Sequence, residues 1–337
     1  MKIGKLDLSR DVMIIAEIGN NHEGDVVLAE EMVVQAARAG AHAVKFQSII
    51  PEHLIAPELT ARLAQLRRYQ LSPESHARLA RVAADHGAMF LSSPFSLDAV
   101  GMLDTLVPAF KVASGDNDHV ALLERIAATG KPVILSTGMT GMDGVAYSLG
   151  TLTRAWASAG IANPGLVLLH CVSSYPTPAS QANLMALRAL AGFGHVVGYS
   201  DHTLGIEAAV LSVALGARVI EKHFTLSKTQ SEFRDHQLSA EPHELKALVE
   251  RVAEANILLG DGVKRIMPAE EATAQAARRS ICAARDLPVG AVLGPDDLAW
   301  LRPAGGLAPG SEAHLLGRRL VRAVAAGQRL SVDLVEG

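Results

Sequence analysis

VMIIAEIGNNHEGD (residues 12–25) holds the choice between two folds. Its first eight residues are an apolar run typical of a buried strand, and its last six are polar turn formers. An open, doubly wound sheet would follow its first strand with a glycine-rich phosphate turn, whereas EIGNNHEGD lacks the G-x-G-x-x-G spacing. The same succession of apolar run, polar cluster and Ala-rich amphipathic stretch then recurs. It predicts strands near 43–48, 88–93, 109–115, 132–138, 166–173, 195–201 and 218–224. Eight β/α units within about 260 residues match an α/β fold of the (β/α)8 TIM-barrel type. The first helix is read from VVLAEEMVVQAARAG (26–40), started by Asp25 and stopped at Gly40.

At 337 residues the chain is larger than one core usually supports, so a second, smaller domain is expected. The barrel is assigned to 1–262. The polar stretch 263–279 reads as a linker, and 280–337, where short strand-like pieces alternate with turn signals such as GPDD and RPAGG, reads as a β-rich module. Hydrophobic residues make up 49% and charged residues 20%, which excludes a disordered chain. A formal charge of -4 without a dense basic block speaks against a nucleic-acid partner. No apolar run has the length of a membrane span or a leader, and the two cysteines, Cys171 and Cys282, are too few for a disulfide framework. A soluble, cytoplasmic protein is expected, with no membrane partner.

Catalytic groups of such barrels sit where the strands end and the βα loops converge. Those ends carry Glu17, Lys45, Gln47, Ser93, Lys111, Ser114, Ser173, Tyr175, His202 and His223, with Ser200, Asp201 and Glu221 among their neighbours. Lys45 and Lys111 lie inside apolar strands, where an unpartnered ammonium is costly; they either snorkel to the rim or bind an anion such as a phosphate or carboxylate. His202 and His223 end adjacent strands and are either a hydrogen-bonded core pair or two ligands of a catalytic ion. Glu17 is a catalytic carboxylate or half of a structural ion pair. Asp235 and His236, in the loop after the eighth strand, either close over a substrate or are solvated.

Taken together, AEIGNNHEGD, AVKFQ, FLSSPFS, FKVASGD, GKPVILSTGM, LLHCVSSYPTP, GYSDHTLG and IEKHFT resemble the sialic acid synthase family, whose members make nonulosonic acids such as N-acetylneuraminic, legionaminic and pseudaminic acids. The tail, with GPDDLAWLRPAGG and LLGRRLVRA, resembles the small antifreeze-like (SAF) domain that ends those enzymes. The resemblance implies a transferase that condenses phosphoenolpyruvate with an N-acetylmannosamine-type amino sugar. It implies a domain-swapped homodimer and a divalent ion, Mn2+ or Mg2+, held by His202 and His223. Lys45, Ser93, Lys111, Ser114, Ser173 and Tyr175 would hold phosphoenolpyruvate. Glu17, Gln47, Asp116, Asp235 and Glu270 would face the sugar or the attacking water, with Glu17 or Asp116 handling its proton, and Arg302 would reach the partner's sugar. Ser173 stands where N-acetylneuraminate enzymes have asparagine, Asp116 where they have glutamate, and FRDHQLS is closer to the legionaminate and pseudaminate type. Two other readings remain: a metal-dependent barrel aldolase using pyruvate, and a non-catalytic carbohydrate- or ice-binding protein.

Overall fold

The computed structural model describes residues 1–336, which divide into two compact units, Met1–Gly260 and the chain from Asp261 onward. The first contains eight parallel strands: β1 (Met13–Gly19), β2 (Ala43–Ser48), β3 (Met89–Pro94), β4 (Phe110–Val112), β5 (Val133–Ser136), β6 (Leu166–Cys171), β7 (Val196–Asp201) and β8 (Val219–His223). They are ordered β3-β2-β1-β8-β7-β6-β5-β4, and β3 lies beside β4 without a hydrogen-bonded ladder, so the sheet is a nearly closed barrel. The pairing of β8 with β1, Ile220 opposite Ile14, brings together the two ends of the repeat.

Side chains alternate across each strand, and the two faces have separate cores. Outward residues such as Ile14, Val44, Phe46, Phe110, Leu168 and Tyr199 pack under the helices. Inward residues Met13, Ile15, Ala43, Leu91, Ala109, Ile134, Val167, Leu169 and Val219 fill the lower barrel, joined by Ile3 and Leu8 of the N-terminal segment. An N-terminal hairpin, Lys2–Ile3 with Leu6–Asp7, therefore plugs the end opposite the βα loops. Gly198 lies in this interior, where a Cβ would run into the Val219 carbonyl oxygen and the Leu169 side chain. Gly198→Ala is expected to cost about 1–3 kcal/mol through overpacking, read as a lower denaturation midpoint.

The first helix spans Val26–Arg38; Asp25 accepts from the Val27 and Leu28 amides at its start, and Gly40 follows its end at φ +96°. Three strands end two or more residues before the sequence suggests, β5 among them, which stops at Ser136. β4 stops at Val112 because the Asp116 N–H turns back to the Ala113 carbonyl, placing Ser114 and Asp116 on a 3-10 turn, Ser114–Asp116. β6 stops at Cys171, so Ser173 is a loop residue.

The second unit has an antiparallel pair, β9 (Ser280–Ala283) with β10 (Leu298–Leu301), and a core that includes Ile281, Leu287, Leu293, Leu315, Leu320 and Leu330. Residues 263–279 are more ordered than a plain linker, holding the 3-10 turn Pro268–Glu270 and the helix Glu271–Ala277. No helix of the described residues is long and apolar enough to cross a membrane.

Candidate active site

Above the apolar floor the inward rows change character within one strand repeat. Ile15 is followed by Glu17, Ala43 by Lys45 and Gln47, Leu91 by Ser93, Ala109 by Lys111, and Val219 by Glu221 and His223. Period-two alternation thus delivers a polar layer to the mouth, around a cavity of about 340 Å3.

At its base lie two ammonium and two carboxylate groups, from residues none of which is more than 4% exposed. Lys45 Nζ is 2.7 Å from Glu17 Oε2 and 3.7 Å from Glu221 Oε2; Lys111 Nζ is 3.7 Å from Glu221 Oε1. Ser200 Oγ donates to Glu221 Oε1 at 2.9 Å, and Gln47 Nε2 donates to Glu17 Oε1 at 3.1 Å while Asn20 Nδ2 donates to Gln47 Oε1. The lysines are therefore not unpartnered, as their apolar strands suggest in sequence: Glu17 and Glu221 supply the counter-charge. Burial disfavours every charge here, and position decides the outcome. Burial lifts Glu17 above the usual carboxylate range, with Glu221 adding and Lys45 opposing. For Glu221 burial is outweighed by Lys111 and Lys45, which hold it low. Lys45 resists burial and titrates high because of Glu17 and Glu221, whereas burial keeps Lys111 low despite Glu221. Lys111 is the less compensated cation, so an anionic ligand gains most beside it.

Around this base, small groups converge. Ser114 Oγ accepts from the Gly138 N–H at 3.1 Å, and a Cβ on Gly138 would fall 2.7 Å from that oxygen and collide with Ser173 Oγ. The hydroxyls of Ser136 and Ser173 are buried without a hydrogen-bond partner among the described residues, an arrangement that costs stability unless a ligand completes it.

Across the mouth, the His202 and His223 ring centroids are 5.4 Å apart, and the Tyr175 ring lies 4.2 Å from His202. His202 Nδ1 is 2.8 Å from the Val172 carbonyl; a carbonyl only accepts, so Nδ1 carries hydrogen and Nε2 keeps its lone pair. Burial opposes charge on His202, but the Cys171 sulfur and the Val172 carbonyl outweigh it and raise its proton affinity. His223 is the reverse: burial and its cationic neighbours push it well below the ordinary histidine range, and its Nδ1 is buried without a partner among the described residues. Two imidazoles with available lone pairs fit a divalent ion, for which His202 would give up any additional proton. Among the described residues no group of three or more His, Cys, Asp or Glu has the geometry of a complete metal cage, so other ligands would be substrate or water.

Ten of the fourteen residues given a site role by the family resemblance line this cavity: Glu17, Lys45, Gln47, Ser93, Lys111, Ser114, Ser173, Tyr175, His202 and His223. Asp116 is not in the lining; it faces His119 at 3.9 Å, and burial raises its pKa. Asp235 also lies outside, 3.2 Å from Arg234 Nε, with its pKa raised by burial. Glu270 and Arg302 belong to the second unit, where Glu270 accepts from the Met267 N–H and Arg302 follows β10. The lining also holds three residues without a role legible in the sequence: Glu221, which shares its inward row with His223; Cys171; and Arg234, whose guanidinium lies 5.1 Å from the Tyr175 ring centre.

Fold and mouth together define a class: a β/α-barrel enzyme whose strand-end layer suits an anionic donor facing a pair of metal-type imidazoles. The chain belongs to the NeuB family, whose model matches residues 32–264, and a SAF domain matches 278–336. It is 38% identical to the N,N'-diacetyllegionaminic acid synthase of Legionella pneumophila over 97% of this chain and 96% of that protein. It is 43% identical to an uncharacterized protein of Methanocaldococcus jannaschii, over 91% and 89% of the two chains. The crystal structure of the N-acetylneuraminic acid synthetase of Leptospira borgpetersenii in complex with citrate aligns with a TM-score of 0.76 at 33% identity, covering 81% of this chain and 94% of that one. These findings agree with the resemblance carried by the motifs.

Proposed function

We propose that this chain is a nonulosonic acid synthase that condenses phosphoenolpyruvate with an open-chain N-acetylmannosamine-type amino sugar and releases phosphate. One observation carries the reading: the incompletely compensated Lys111 and the unpartnered Ser136 and Ser173 hydroxyls share one cavity with His202 and His223. The family membership and the activities named for its relatives support it.

Lys45, Lys111, Ser93, Ser114, Ser173 and Tyr175 hold the donor's phosphate and carboxylate, fixing its C3 against the sugar's C1 so that the step is effectively unimolecular. C3 bonds to C1 as the enol pair leaves C2, and the aldehyde oxygen takes the proton that the attacking water releases. Water adds its oxygen to C2, and the C2–O bond to phosphate then breaks as the new C2 hydroxyl passes its remaining proton to the departing phosphate, leaving a 2-keto acid. Glu17 accepts the water's proton, with Asp116, outside the lining, as the second candidate. His202 and His223 would hold Mn2+ or Mg2+, which when bound would supply Lewis-acid polarisation of the sugar's aldehyde. Gln47 and Asp235 face the sugar. The reading extends to a cytoplasmic, domain-swapped homodimer in which Glu270 and Arg302 serve the partner protomer's sugar site.

His202→Ala is expected to abolish divalent-ion-dependent turnover while phosphoenolpyruvate still binds, measured by phosphate release and by titration calorimetry. Turnover at the wild-type rate would remove the ion from this reading. An aldolase would instead consume pyruvate and release no phosphate, and a binding protein would turn over neither donor.

A further inference from the structure

On the outward face of the sheet, strand positions pack as an apolar layer that includes Val197, Tyr199 and Ile220. Asp201 and Lys222 break that pattern. They are directly paired in the β7–β8 ladder, Lys222 Nζ lies 3.0 Å from Asp201 Oδ2, and their side chains are 0% and 1% exposed. Asp201 immediately precedes His202, and Lys222 immediately precedes His223.

We propose that the Lys222–Asp201 pair is a positioning device that aims the two imidazoles into the mouth from the far side of the sheet. A buried ion pair adds little stability over an apolar pair of the same volume, and ladder and core already hold β7 against β8. Direction is what the charges add. Asp201 Oδ1 accepts from both the N–H and the Oγ1 of Thr203, each at 2.8 Å, and Lys222 Nζ donates to the Thr203 carbonyl. His202 is thus fixed on both sides in the chain, while its Nδ1 is tied to the Val172 carbonyl. On β8, the lysine that anchors this network is the residue before His223. Nonpolar side chains would fill the space and leave Thr203 without these side-chain partners.

The inference rests on the proposed ion site, so its test reads ion affinity and not turnover. Mn2+ binding to the full-length, metal-free protein is measured by the electron paramagnetic resonance signal of free Mn2+, alongside thermal unfolding. Asp201→Leu/Lys222→Met, which keeps the buried volume without the charges, is expected to fold and to bind Mn2+ ten- to a hundred-fold more weakly than wild type, the usual effect of losing groups that orient metal ligands. Affinity within fivefold of wild type overturns the inference while leaving the ion site intact. Wild-type protein that binds no Mn2+ overturns both. Should the double variant fail to fold, Asp201→Asn is read against the same fivefold limit.

Discussion

Glu221→Leu is expected to destabilise the barrel by about 3–5 kcal/mol, the usual cost of leaving a buried charge without its partner. Glu221 lies within 3.7 Å of both Lys45 and Lys111 and accepts from Ser200. Its loss leaves two buried ammonium groups with Glu17, which already pairs with Lys45. Lys111 then has no carboxylate within 4 Å among the described residues and can escape the penalty only by losing its proton. Urea unfolding of the single variant and of Glu221→Leu/Lys111→Met checks this. The account expects the double variant to recover a substantial part of the loss, because it removes the stranded charge. Equal destabilisation of the two variants would mean that Glu221 acts through packing alone.

Glu17→Gln is expected to lower kcat by about 10²–10⁴-fold with the fold retained, the range for removing a general base. The amide keeps the shape and a hydrogen-bonding oxygen beside Gln47 and Lys45, but it cannot take a proton from water. Burial raises Glu17 toward the range where a base works best, so its role also predicts a limb in the rate–pH profile that disappears in the variant. Steady-state phosphate release and donor titration separate the two effects. An unchanged kcat would pass the water's proton to Asp116 or another group.

The range of each interaction decides whether the sequence alone reveals it. The strands were legible because short, nearly continuous apolar runs mark strands buried on both faces, and the residues that line the mouth were legible because they occur where those runs end. The end of β4 was not: SGD is equally polar as a strand end or as a turn, and only the Asp116 N–H bond to the Ala113 carbonyl separates the two. The helix Glu271–Ala277 was hidden for a different reason, since EATAQAA lacks the large apolar residues that would mark a face. The charge balance of the mouth was least accessible. Lys45, Lys111 and Glu221 are far apart in the chain, and only barrel closure, with β8 beside β1, assembles them. The Lys222–Asp201 pair depends on the β7–β8 register in the same way.

The most direct test is stoichiometric: incubate the protein with Mn2+, phosphoenolpyruvate and a panel of N-acetylmannosamine, its 6-deoxy diacetamido analogues and mannose, and count phosphate against sugar consumed. One phosphate per molecule of at least one amino sugar, and no sugar consumed when pyruvate replaces phosphoenolpyruvate, is the expected result. Sugar consumed with pyruvate and without phosphate, or no phosphate from any sugar in the panel, would contradict it.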